Sequence, residues 1–218
     1  RCGFTFIPNG IDTERFRFHA AVREDVRREL GLTDQFVIGN IGRLCQQKNQ
    51  SFLLDVLAQA AKLRPGLRLL LIGEGGDLAA LKEKAERLGV ADRVLFYGTT
   101  QHPERLLWAM DVFAFPSLFE GLGIVAIEAQ AAGLPVVCSE HVPPEAAVTP
   151  LVTRLPLDEG AAAWANALLK LPEAEQTSGA EQVRQGGFDV ADVARRIERT
   201  YMGSEHGETN DFRRHSGV

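Results

Sequence analysis

The sequence predicts an α/β fold, a Rossmann-like parallel sheet with helices on both faces. Three observations predict it. Short, nearly unbroken apolar runs recur along the chain, longer amphipathic segments alternate with them, and glycine-bearing loops follow several of the runs. A strand that is apolar at every position has both faces covered, as in a parallel sheet between two helical layers. Such sheets bind ligands beyond the carboxyl ends of their strands, where the loops collect.

Taken in order, Phe4–Phe16 (FTFIPNGIDTERF) starts as a short strand and turns at Pro8-Asn9-Gly10. Ala20–Leu30 is a charged amphipathic helix ended by Gly31. Phe36–Ile41 is a strand leading into the loop Gly42–Lys48. A helix carrying Phe52, Leu53, Val56, Leu57 and Ala60 then runs to about Leu63. Arg68–Ile72 is a second apolar strand ending in Gly73-Glu74-Gly75-Gly76, a turn read as structural, and a helix continues through Leu88. Val94–Phe96 is a third strand, and Pro103–Met110 a short helix. Val112–Phe115, a helix from Ile124 stopped by Gly133-Leu134-Pro135, and a strand at Val136–Cys138 follow. Beyond these, Ser139–Pro150 is a loop, Val152–Leu155 an edge strand, Gly160–Leu171 a helix around Trp164, and Glu173–Gly187 a charged, polar stretch. The last helix, at about 188–202, has Val190, Val193, Ala194, Ile197 and Tyr201 on one side. One domain is therefore expected over residues 1–202, with residues 203–218 a polar, disordered tail.

Composition narrows the function. A length of 218 residues with 45% hydrophobic content supports a packed core. A net charge of −5 gives no electrostatic footprint for nucleic acid. Three widely separated cysteines form no disulfide or metal spacing, so a cytoplasmic location is expected. No apolar run approaches a membrane span, and Arg1-Cys2-Gly3 opens no signal peptide. The chain does not begin with methionine and is expected to be a piece of a longer protein. Neither an Asp-x-Asp motif nor a His/Cys cluster suggests a metal.

The chemistry concentrates in Phe115–Val137, FPSLFEGLGIVAIEAQAAGLPVV. Its strand, glycine loop and helix would turn backbone N–H groups at a helix N-terminus outward to bind an anion. Glu120 and Glu128 frame it, with seven residues between them. Carboxylates repel phosphate but accept hydrogen bonds from hydroxyls, and two oxygens suit a vicinal diol. A nucleotide-sugar reconciles these demands, having a ribose diol at one end, a hexose at the other and a diphosphate between. Arg43 and Lys48, in a loop on the same rim, supply cations for that diphosphate: a planar fork and a point charge. Both are expected to be exposed. A dinucleotide dehydrogenase would require Gly-x-Gly-x-x-Gly after the first strand, and Gly39-Asn40-Ile41-Gly42 does not supply it.

The segments IPNGIDTERF, IGRLCQQKN, LLIGEG, ADRVLFYG and MDVFAFPSLFEGLGIVAIEAQAAGLPVV together resemble the C-terminal domain of the group 1 retaining glycosyltransferases of GT-B architecture, nearest the bacterial exopolysaccharide and capsule branch. The resemblance runs from about Phe4 to Leu155, and the last helix is similar to the family's closing helix. It implies a donor site for a UDP- or GDP-linked sugar, with no cofactor and no metal. On the matching positions Arg43 and Lys48 would bind the diphosphate and Glu120 the hexose. Backbone N–H groups of Gly121, Leu122, Gly123 and Ile124 would meet sugar and phosphate, and Glu128 the ribose. Gly10 would lie near the phosphates, and Tyr97, Gly98 and Thr99 would line the base pocket. Arg43, Lys48 and Glu120 would act in catalysis. Cys45-Gln46-Gln47 departs from a loop that more often carries proline, which bears on its rigidity. A saccharide or lipid-linked acceptor would bind an N-terminal domain absent from this chain. The full enzyme would associate peripherally with the inner face of the plasma membrane, and the present chain would be inactive alone. A GT-B sugar-nucleotide epimerase and a non-catalytic nucleotide-binding module are the alternatives.

Overall fold

The computed structural model describes residues 7–170 and 177–202. Its centre is a six-stranded, wholly parallel sheet: β1 Phe36–Ile41, β2 Leu67–Ile72, β3 Val94–Gly98, β4 Val112–Phe115, β5 Val136–Cys138 and β6 Val152–Arg154, in the order β3-β2-β1-β4-β5-β6. Order reverses between β1 and β4, which opens a crevice at their carboxyl ends.

Successive side chains of a strand point to opposite faces, and here both faces are dry. Val37, Leu70, Ile72, Phe113 and Phe115 join one core with α4 (Pro103–Ala109) and α5 (Ile124–Ala131), over which Val26 of α1 (Ala20–Glu29) also packs. Ile38, Leu69, Leu71, Val112 and Ala114 join the other, beneath α2 (Gln50–Leu63), α3 (Leu78–Arg87) and α6 (Gly160–Leu169). Continuous apolar runs follow from this two-sided burial. Phe52 of α2 meets Trp164 of α6 edge to face, ring centroids 5.5 Å apart, and the Trp164 indole donates to Pro156 O at 3.0 Å.

The amino-terminal edge of the sheet is held by charge. Asp111, just before β4, accepts from Val37 N at 2.7 Å, Arg23 at 2.5 Å and Arg27 at 3.2 Å, tying α1 to the sheet. On the α5 face, buried Gln130 donates to Ala126 O and Ala146 O and accepts from Val148 N and Thr149 N. Every hydrogen-bonding direction of the amide is thereby used, which makes its burial tolerable.

Two stretches differ from the sequence expectation. Within the polar stretch after α6, Ala180–Val183 forms a short helix, α7, that packs on α5 and continues into a wide turn, Arg184–Phe188. The closing helix α8, Val190–Tyr201, is capped by Asp189, which accepts from Ala191 N and Asp192 N and from the Thr13 hydroxyl at 2.5 Å. Of the five residues expected on one side, only Val193 is buried; Val190, Ala194, Ile197 and Tyr201 are exposed. The expected strand at Phe4 and the expected tail at 203–218 lie outside the described residues, apart from Ile7.

Candidate functional site

A cleft of about 600 Å³ opens at the carboxyl ends of β1, β2, β3 and β4. The loops after all four strands reach it, through Gly42 and Arg43, Gly73, Thr99 and Thr100, and Glu120 to Gly123. Asn9 and Pro103 complete its walls.

The loop after β1 is fixed from beneath. Asn40, a polar residue buried in mid-strand, donates to Ala114 O at 2.8 Å, and its side-chain oxygen lies 3.3 Å from the Gln50 amide, which also donates to Arg43 O at 3.0 Å. The neighbouring loop allows close approach: Gly73 sits at φ +131°, and a Cβ there would come within 2.0 Å of Gly42 O. The glycine turn after β2 thus has a packing role, with Gly73 also forming cleft wall.

Side-to-side bonds fasten this loop to the one after β4. Leu118 N donates to Gln47 O at 2.8 Å, the Gln47 amide to Phe119 O at 2.9 Å and the Asn49 amide to Pro116 O at 3.2 Å. Lys48 Nζ donates to Glu120 Oε1 at 2.6 Å and stands 5.3 Å from the centre of the Phe115 ring. The side chains of this pair are 19% and 7% exposed. Lys48 is therefore not the exposed cation expected from sequence, because Glu120 draws it in against Phe115; Arg43 is exposed. An ammonium has three donors, so Lys48 can serve Glu120 and an incoming anion together.

Gly123 caps α5 in the left-handed region, φ +81°, where a Cβ would lie 3.0 Å from Phe115 Cε1. Its carbonyl takes the Ala126 N–H at 2.9 Å. No side chain caps the helix and no acid occupies its first turn, so the positive end of α5 faces the cleft through Ile124 and Val125.

Glu128 lies one turn further along α5, half-buried in the same wall. Burial pushes its carboxyl up to about 7; the positive charge of Arg15 opposes that rise and the negative charge of Glu104 adds to it. Sequence reasoning did not single out Arg15 or Glu104. Arg15 donates from Nε to Glu104 Oε2 at 2.9 Å and from Nη2 to Gln101 O at 2.5 Å. The two residues stand 89 positions apart, and no local pattern joins them.

Of the residues singled out from sequence, Arg43, Lys48, Thr99, Glu120, Leu122, Gly123, Ile124 and Glu128 line the cleft. Gly10, Tyr97, Gly98 and Gly121 are not among its lining residues. Gly10 instead lies against the backbone of Val190 at the start of α8, where Ile11 N donates to Phe188 O at 2.7 Å. Thr100, Asn9 and Pro103 stand in the walls without having been assigned a role of their own from sequence. Among the described residues, no three His, Cys, Asp or Glu side chains are grouped to hold a metal ion, and no helix is long and apolar enough to cross a membrane.

Known proteins are similar to this chain in sequence and in fold. The model of the family described as glycosyl transferases group 1 matches residues 22–186. The Bacillus subtilis protein EpsF, assigned as a glycosyltransferase, is 34% identical over 189 residues, covering 84% of this chain and 49% of EpsF. A Mycobacterium tuberculosis mannosyltransferase, GDP-mannose-dependent and acting on phosphatidylinositol monomannoside, is 37% identical over 142 residues, 61% of this chain and 37% of that protein. The crystal structure of Anabaena HepE with UDP superposes with a TM-score of 0.78 at 27% identity, over 91% of this chain and 57% of HepE. HepE has also been crystallised with UDP-glucose. The chain thus spans about half the length of EpsF.

Proposed function

Because the chain belongs to the group 1 glycosyl transferases and has the C-terminal-domain fold of their GT-B architecture, we propose that its cleft binds a nucleotide-diphosphate sugar, the donor for hexosyl transfer. One observation carries this: two cations, two carboxylates and an uncapped helix N-terminus line a single cleft at the switch point of the sheet. Relatives that bind UDP or UDP-glucose, or depend on GDP-mannose, support the ligand class.

The roles follow from charge. Arg43, Lys48 and the α5 N–H groups take the diphosphate, Glu120 the hexose hydroxyls, Glu128 the ribose diol, and the Thr99 end of the cleft the base. Breaking the anomeric C–O bond places negative charge on the diphosphate and positive character on the sugar. Donors already aimed at the diphosphate stabilise that separation more than they stabilise the ground state, each by about 3 kcal/mol. This scheme requires neither metal nor cofactor, and retention of configuration is part of the proposal. Lys48 links the two halves of the site, since its partner Glu120 addresses the sugar while its remaining N–H groups address the phosphate.

The acceptor, a saccharide or lipid-linked saccharide, falls to an N-terminal domain, with the whole enzyme cytoplasmic at the inner membrane face. The exposed apolar stripe of α8 offers a surface for such a domain to cover. A thermal-shift panel of UDP, GDP, ADP and their sugars tests the donor assignment. One base series is expected to raise the melting temperature in wild type and to lose that effect in Arg43→Ala. No shift with any of them would overturn it.

A further inference from the structure

Lys48 ends a single 3-10 turn, Gln46–Lys48, and so short a turn is weak by itself. Asn49 follows with φ +54°; among the described residues it is the only one other than glycine with a left-handed backbone. Asparagine tolerates that region, and here it reverses the chain from the turn into α2. Beside this reversal the Lys48 stem lies along Gly42, where a Cβ would stand 3.4 Å from Lys48 Cγ and 3.5 Å from its Cδ and Cε.

The loop after β4 is anchored on its far side. Ser139, directly after β5, donates from its hydroxyl to Ser117 O at 2.6 Å and from its backbone to Phe115 O at 3.1 Å, and both serines are wholly buried. Asn49 and Gln47 carry that anchorage across to the Lys48 loop. Asn49 Nδ2 donates to Pro116 O; Gln47 accepts from Leu118 N at its carbonyl and donates from its amide to Phe119 O. Rungs therefore join 49 to 116 and 47 to 118 and 119, and the ion pair joins 48 to 120. Neither Gln47 nor Asn49 is among the lining residues of the cleft, so any effect they have on a ligand there passes through other residues.

We propose that Asn49 and Gln47 are positioning residues of the cleft: their bonds to the loop after β4 hold the Lys48 ammonium where it serves Glu120 and a bound diphosphate at once. Glu120 takes one of the three N–H donors of Lys48. The others meet phosphate oxygens in the same geometry only while the spacing between the two loops is fixed. With the rungs cut, the ammonium follows either the carboxylate or the phosphate. The diphosphate consequence rests on the donor assignment above; the hold on the Lys48–Glu120 pair does not.

The ligand-free chain tests that hold. Asn49→Gly keeps a residue suited to the left-handed backbone and removes the amide. Gln47→Ala removes the other side-chain rung and leaves the backbone carbonyl in place. Urea unfolding of Lys48→Met, Glu120→Gln and the double variant gives the coupling between the two charges. That coupling is expected to be smaller in the Asn49→Gly and Gln47→Ala backgrounds than in wild type. An undiminished coupling in either background overturns the proposal, and each background is decisive if the other does not fold.

Calorimetric titration with UDP-glucose and with GDP-mannose reads the consequence for a ligand. Asn49→Gly and Gln47→Ala are each expected to weaken binding about three- to tenfold, the contribution of one hydrogen bond. In Lys48→Met the same changes are expected to alter affinity by less than about twofold, because the group they position is gone. Equal losses with and without the ammonium would overturn the proposal, since a general loosening of the fold would act in both. Should Lys48→Met bind too weakly to measure, the unfolding cycle decides. A reduced coupling with neither sugar nucleotide binding wild type would leave the hold on Lys48 standing and remove the donor assignment.

Discussion

At Arg43 and Lys48 the same charge sits in two different surroundings. Arg43 is exposed, so Arg43→Ala is expected to weaken nucleotide binding while keeping stability within about 0.5 kcal/mol of wild type, as calorimetry and urea unfolding would show. Lys48→Ala leaves the nearly buried Glu120 carboxylate without its cation and should cost about 1–3 kcal/mol of stability as well as affinity. Glu128 carries a second prediction. Its carboxyl is raised from an ordinary 4.5 to about 7, so the native state holds a proton that the unfolded chain has released. Its contribution to stability is present below pH 4.5 and is lost as pH rises through 7. The change in unfolding free energy between those limits should therefore differ by roughly 3 kcal/mol between wild type and Glu128→Gln, with the variant favoured at the alkaline end. These residue types were legible in the sequence, but their partners were not. Lys48 and Glu120 are 72 positions apart, and only the fold shows that the two form an ion pair.

At the scale of elements, the loop from β4 into α5 determines what the cleft can hold. Gly123 has a left-handed backbone, and a Cβ there would press on Phe115; at Gly121 a Cβ would meet nothing. Gly123→Ala should therefore cost about 1–2 kcal/mol and tilt the helix N-terminus away from an anion. Gly121→Ala should be close to neutral for stability, and paired urea curves check the contrast. Strand and helix boundaries here follow the sequence closely, because Val112–Phe115 and Val136–Cys138 are continuous apolar runs set off by glycine and proline signals. Helix α7 escaped because four residues in a polar stretch display no period, and its formation depends on packing against α5. The amphipathic pattern of α8 was legible, but the pattern only separates two sides of a helix and does not say that the apolar side is covered.

For the whole molecule, the cleft has walls from one domain, and the proposed acceptor belongs to another. The chain by itself is expected to bind nucleotide weakly and to transfer no sugar. Robust glycosyl transfer by this chain alone, in an assay with donor and a saccharide acceptor, would contradict that division. Its parallel sheet, the succession of its elements apart from α7, and the presence of two acids and two cations near one rim were determined by sequence alone. Hydrophobic period and turn chemistry are local properties, and the rule that loops gather at the carboxyl ends of parallel strands does the rest. Only the tertiary structure decided which charges meet. Lys48 is drawn to Glu120, Arg15 is held by Glu104, and Asn40 and Gln50 support the cation loop from the core. An electrostatic contact depends on distance in space, and distance in space is what chain order does not record.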